Sequence, residues 1–184
     1  MAGFADVLGS GRDWGVSLCY RVQEEAGGIA QALELGKPLF APGEKFAVLL
    51  GDNLFEESLL PYREQFEKQE SGAMVLLKAV ADPRRYGVPV LDPGSGRILR
   101  IDEKPDRPAS GYCVTGLYFY DTSVFDVISG LSASCRGELE ITDVNNAYAR
   151  THTLRYAIVR GWWSDAGTFD SLEEAAGRMR GKLP

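Results

Sequence analysis

Three short apolar runs constrain this chain more than any other feature: residues 46–50 (FAVLL), 73–80 (AMVLLKAV) and 112–120 (YCVTGLYFY). Each is too short to cross a membrane and lacks the 3.6-residue period of a surface helix. Runs of this kind read as strands covered on both faces, as in a sheet sandwiched between helices. The segments between them supply the helices. Residues 28–36 place Ile29, Ala32 and Leu33 at helical spacing before Gly36. Residues 58–69 read as a helix with Pro61 in its first turn and Leu60 and Phe66 turned inward. Further helices are expected over 123–129, 139–149 and 169–180, the last capped by Thr168. Strands are expected over 16–21, where apolar and polar residues alternate, and over 154–159. Residues 86–91 and 97–103 flank Asp92-Pro93-Gly94-Ser95-Gly96, the signature of a β-hairpin. Alternating strands and helices define an α/β sheet with a hairpin excursion, and 184 residues suggest a single domain over 1–184.

Polar residues at the ends of apolar strands mark where ligands collect in such sheets. Three places qualify: Asp52-Asn53 after FAVLLG, Asp102-Glu103-Lys104-Pro105 after RILRI, and Asp165 in GWWSDAGT. Two aspartates at separate junctions can converge on one hard divalent cation, Mg²⁺ or Mn²⁺, whose remaining positions are usually taken by phosphate oxygens. Read singly, each aspartate is equally well a turn or capping residue. Pro105 bends the chain, so Glu103 and Lys104 can serve the same site, one at a sugar hydroxyl and the other at a phosphate; the plain alternative is a solvated charged turn. Asn53 reads as part of the turn alone.

Composition narrows the chemistry further. The one histidine, His152, rules out the usual Ser-His and Cys-His dyads and reads as an exposed loop residue. Cys19, Cys113 and Cys135 lack metal-ligand spacing and read as reduced, mostly buried thiols, which suggests a cytoplasmic setting without a signal peptide. A net charge of −6 argues against a nucleic-acid partner, and no apolar run argues for a membrane. Trp162 and Trp163 read as packing or pocket-wall residues.

AVLLGDNLF, DPRRYGV, IDEKP, VTGLYFYD, RGELEITDVN and GWWSDAGTFDSL, in that order, resemble the bacterial sugar-1-phosphate nucleotidyltransferases, most of all the glucose-1-phosphate thymidylyltransferases. The resemblance runs from about Phe4 to Ala176. It implies a Rossmann-like mixed sheet flanked by helices. The implied reaction joins dTTP (or UTP) to glucose 1-phosphate with Mg²⁺ as cofactor, releasing pyrophosphate and supplying nucleotide sugars for surface polysaccharides. Position by position, the resemblance implies that Asp52 and Asp165 hold the metal. Gln23 and Gly28 recognise the base, although residues 24–27 depart from the commoner proline-containing form. Tyr86, Gly87, Val114, Gly116 and Tyr118 border the sugar. Glu103 binds its hydroxyls, Lys104 contacts its phosphate, and Arg136 lies over that phosphate. In-line displacement needs no protein nucleophile. The family's glycine-rich nucleotide loop, of the form L-A-G-G-x-G-T-R-L, is not found in these residues; Gly9-Ser10-Gly11-Arg12 reads as a plain turn, because no helix follows it. Relative to the family the fold is thus expected to be incomplete at the N-terminus. The expected partners, besides the two substrates, are further copies of the chain or a missing N-terminal segment. The alternative readings are an inactive remnant that binds sugar phosphate or sugar nucleotide, and a related transferase for another sugar or nucleotide.

Overall fold

The computed structural model describes residues 2–180, so the outer limits of the domain expected over 1–184 lie outside the described residues. In chain order the elements are α1 (Ala2–Leu8), α2 (Ile29–Glu34), β1 (Lys45–Leu49), β2 (Asn53–Phe55), α3 (Leu60–Glu67), β3 (Ala73–Ala79), β4 (Gly87–Leu91), β5 (Ile98–Glu103), β6 (Tyr112–Asp121), α4 (Val124–Ser129), α5 (Ile141–Arg150), β7 (Leu154–Ile158), β8 (Trp163–Asp165) and α6 (Phe169–Met179). Four strands form one mixed sheet in the order β1-β6-β3-β7. β6 runs antiparallel to both neighbours, and β3 pairs parallel with β7. β4 and β5 form the expected hairpin, closed by Asp92, whose carboxylate accepts from Gly94 N–H and Ser95 N–H.

The inner strands β3 and β6 explain their own composition. Val75, Leu77, Tyr118 and Tyr120 face a cluster completed by α2, α4 and α5 through Leu33, Phe125, Ile128, Val144 and Tyr148. The alternate residues Met74, Leu76, Leu117 and Phe119 face a second cluster with Phe66 of α3 and Trp163. Side chains alternate across a strand, so a strand buried on both faces must be apolar throughout. Thr168 caps α6 by accepting from Ser171 N–H while the Ser171 hydroxyl accepts from Thr168 N–H.

Several expectations fail, each for a physical reason. Residues 16–21 form no strand, because alternation cannot make a ladder without a strand alongside, and Val16 stays exposed. β1 is an edge strand covered on one face only: Ala47 and Leu49 on its other face are exposed, Leu49 by 53%. Phe66 turns inward as expected, but Leu60 is exposed in the first turn of α3. Ala32 is likewise exposed, and α2 buries Ala30 and Leu33 instead. Of the three thiols only Cys113 is buried; Cys19 and Cys135 are exposed. β2, β8 and α1 were not expected.

Candidate functional site

The site begins where β1 ends. Leu50 N–H donates to Gly116 O and Asn53 N–H to Leu50 O, which turns the chain sharply at Asp52. β2 then pairs antiparallel with β8, setting Asn53 opposite Asp165, while Ala166 N–H donates to Asp52 O. The two aspartates therefore meet across a three-residue ribbon. A Cβ built on Gly167 would lie 3.0 Å from Asp165 Oδ1 and 3.6 Å from Asp52 Oδ2, so both carboxylates border one spot.

Asn53 is more than a turn residue. It is 8% exposed, and its Oδ1 accepts from Gly116 N–H at 2.7 Å and from Trp163 Nε1–H at 2.8 Å. Its Nδ2 donates to Asp52 Oδ1 at 2.9 Å, which holds that carboxylate, while Oδ2 is the oxygen beside Gly167. A Cβ on residue 116 would collide with the Asn53 amide, which is why glycine stands there.

The hairpin supplies the opposite wall. Gly87 lies opposite Glu103, and Lys104 N–H donates to Tyr86 O. Lys104 has φ 44°, a left-handed conformation uncommon outside glycine, so strand alternation ends there and Glu103 and Lys104 both line the same cleft. Thr142 Oγ1 donates to Glu103 Oε2 at 2.6 Å and fixes that carboxylate. Burial, and then the carboxylates of Glu103, Asp52 and Asp165, push the Tyr118 phenol well above its ordinary range. The Tyr86 phenol is raised by burial and by Asp165, and its ring meets Trp163 edge-on at 5.6 Å.

These residues enclose a cleft of about 310 Å³ lined by three carboxylates (Asp52, Glu103, Asp165) and two cations (Arg85, Lys104). Nine of the twelve expected site residues line it: Asp52, Tyr86, Gly87, Glu103, Lys104, Val114, Gly116, Tyr118 and Asp165. Gln23 and Gly28 line a second, adjoining cleft that shares Ile29 and Leu50 with the first. There Gln23 Nε2 donates to Gln31 Oε1 and Gly28 O. Gly28 has φ 92° and lies so close to Leu139 that the fold itself requires a glycine. Arg136 lines neither cleft. Its exposed guanidinium bonds the Glu140 carboxylate at 2.7 Å. Although burial acts to raise the Glu140 carboxyl, the Ser134 hydroxyl and Arg136 hold it below its usual range.

Trp163 lines the cleft, in keeping with its expected place as a pocket-wall residue, and residues not anticipated there join it: Asn53, Arg85, Thr142 and Asn145 among them. Thr142 and Asn145 carried a signal, since α5 buries them three positions apart among Ile141, Val144 and Tyr148. Polar residues on an otherwise apolar helix face mark either a buried network or a ligand wall. Among the described residues there is no group of three or more metal-ligating side chains. The acidic pair Asp52 and Asp165 offers oxygen donors only, which suits a hard cation sharing its coordination with ligand oxygens.

A mixed sheet with an acidic, cation-bearing cleft at its strand ends defines a Rossmann-like α/β protein. The chain belongs to the nucleotidyl transferase family, whose model matches residues 2–181. It is 43% identical over 176 residues to a glucose-1-phosphate thymidylyltransferase of Xanthomonas campestris pv. campestris, covering 94% of this chain and 59% of the relative. The enzyme of the same name from Neisseria meningitidis is 41% identical, with 95% and 61% covered. The chain thus spans about three-fifths of the length of these curated relatives. Among solved structures, a candidate glucose-1-phosphate thymidylyltransferase of Bacillus anthracis in complex with a sucrose superposes with a TM-score of 0.91 at 48% identity, covering 98% of this chain and 72% of that one. A UDP-glucose pyrophosphorylase complexed with UDP-glucose shares the fold at a TM-score of 0.80 and 24% identity, with 98% of this chain and 73% of that one covered.

Proposed function

We propose that the cleft is a hexose 1-phosphate site of a nucleotidyltransferase, with glucose 1-phosphate and dTTP (or UTP) as substrates. The observation that carries this reading is the meeting of Asp52 and Asp165 through the β2–β8 ribbon, opposite a wall bearing Glu103 and Lys104. In the proposed reaction an oxygen of the sugar phosphate attacks the α-phosphorus of the triphosphate. A new O–P bond forms there, the bond from that phosphorus to the β-phosphate bridging oxygen breaks, and pyrophosphate leaves with the electron pair. Lys104 neutralises charge on the sugar phosphate, Glu103 accepts from a sugar hydroxyl, and Asn53 holds the Asp52 carboxylate in register. Asp52 and Asp165 would hold Mg²⁺, which supplies charge neutralisation at phosphate oxygens when bound. Gln23 and the second cleft are assigned to the base. Arg136 sits apart in its bond to Glu140, and its part over the sugar phosphate requires that bond to exchange for the ligand.

The test is incubation of the chain with glucose 1-phosphate, dTTP or UTP, and Mg²⁺, following pyrophosphate release. Expected is turnover that falls at least a hundredfold in both Asp52→Asn and Asp165→Asn. Robust turnover indifferent to both substitutions rejects the assignment. One observation favours a second reading, binding without turnover: among the described residues, Arg85 and Lys104 are the only cations lining the two clefts, few for a triphosphate and a sugar phosphate together. Glucose 1-phosphate binding without pyrophosphate release selects that reading.

A further inference from the structure

We propose that Asn145 is a specificity-determining residue, whose Nδ2 donates a hydrogen bond to a hydroxyl of the hexose in the cleft. The inference rests on reading the cleft as a hexose 1-phosphate site. Asn145 sits on the inner face of α5 and is only 1% exposed. Its Oδ1 accepts from the Tyr120 hydroxyl at 2.7 Å, and Tyr120 is itself wholly buried, stacked between Tyr118 and Tyr148. That bond orients the amide, with the oxygen towards Tyr120 and the nitrogen away from it.

Among the described residues Nδ2 has no hydrogen-bond partner in the protein. It is not sealed off either: Thr115 Oγ1 is the one side-chain polar atom among the described residues that is both occluded from solvent and unpaired. Nδ2 is therefore reached by solvent, and Asn145 lines the cleft. A donor placed this way penalises any ligand that displaces its water without offering an acceptor.

A hexose hydroxyl meets that demand and a second one together, because it accepts and donates at once. It can accept from Asn145 Nδ2 while donating to a carboxylate such as Glu103. That carboxylate is oriented by Thr142, which precedes Asn145 by three positions on α5 and so shares its face. α5 would thus read the sugar twice, once through a positioned carboxylate and once directly. A polar site of this kind rejects the deoxy analogue of its ligand, since the donor is then left bare.

The experiment is calorimetric titration of the chain with glucose 1-phosphate and its 2-, 3-, 4- and 6-deoxy analogues, in wild type, Asn145→Asp and Tyr120→Phe. Asn145→Asp keeps the oxygen that Tyr120 uses and replaces the cleft-facing donor with an acceptor. Glucose 1-phosphate is expected to bind this variant roughly tenfold more weakly. For one deoxy analogue, and one only, that loss should disappear. Tyr120→Phe adds no charge and frees the amide to rotate; a loss of roughly two- to threefold with the same single-analogue dependence is expected. If Asn145→Asp fails to fold by circular dichroism, Tyr120→Phe decides alone. Equal weakening across all analogues, or none, overturns the role of Asn145 while the cleft assignment stands on wild-type binding. Absence of glucose 1-phosphate binding to the wild type overturns the cleft assignment and this inference with it.

Discussion

Asn53 commits its whole side chain to other parts of the protein. Its oxygen satisfies a backbone N–H of β6 and the indole of Trp163, and its nitrogen holds Asp52. Asn53→Ala leaves two donors unpaired in a buried setting, at a cost of about 2–4 kcal/mol. For a chain of this length the midpoint of thermal unfolding is expected to fall by roughly 4–16 °C, readable by circular dichroism. A change within 1 °C would show that water replaces the amide there. At this scale the sequence speaks unevenly. Asp52 stands out because it ends an apolar run, where a carboxylate has no packing role, and Lys104 stands out because it precedes Pro105. Asn53 does not, because its partners lie far along the chain at 116 and 163. Gly28 is a different case: its glycine is explained by the approach of Leu139, whatever happens to a nucleotide base nearby.

Among the elements, β6 is the one on which most contacts converge. It pairs with β1 and β3, carries Val114, Gly116 and Tyr118 into the cleft, and turns Cys113 into the opposite cluster. Burial pushes the Cys113 thiol up to about 12, so it stays protonated below that pH and becomes a thiolate only as the pH approaches it. Iodoacetamide at pH 8 should therefore modify Cys19 and Cys135 in the folded chain and Cys113 only after denaturation. Intact mass spectrometry checks this as two adducts, then three. Three adducts on the native protein would show that β6 opens. Elements of this kind were legible because a strand covered on both faces must be apolar and a helix must repeat. The three-residue strands β2 and β8 are shorter than any period can reveal, and they are what joins the two aspartates. Residues 16–21 show the converse, a correct alternation with no strand beside it.

At the scale of the whole molecule, the layers of sheet and helices follow from the sequence, and so does an open edge with apolar surface, which the resemblance implies for a fold lacking the family's first strand; β1 stands at such an edge. Beside β1, the side chains of Ala47, Leu49, Leu59, Leu60, Leu117 and Phe119 line an apolar groove of about 390 Å³. An open strand edge next to exposed leucines is the surface on which chains associate non-specifically. The dye ANS should fluoresce on the folded chain, and Leu49→Lys with Leu60→Lys should remove most of that signal without lowering the unfolding midpoint by more than about 2 °C. Undiminished fluorescence in the double variant would place the dye elsewhere. The β2–β8 ribbon has one further consequence, and it concerns synthesis. Asn53 and Trp163 are 110 residues apart, so at roughly 5–20 residues per second the ribosome delivers the first about 5–20 s before the second. For that interval a nascent chain carries Asp52 with nothing to face, and the cleft closes only after nearly all of its walls have been made.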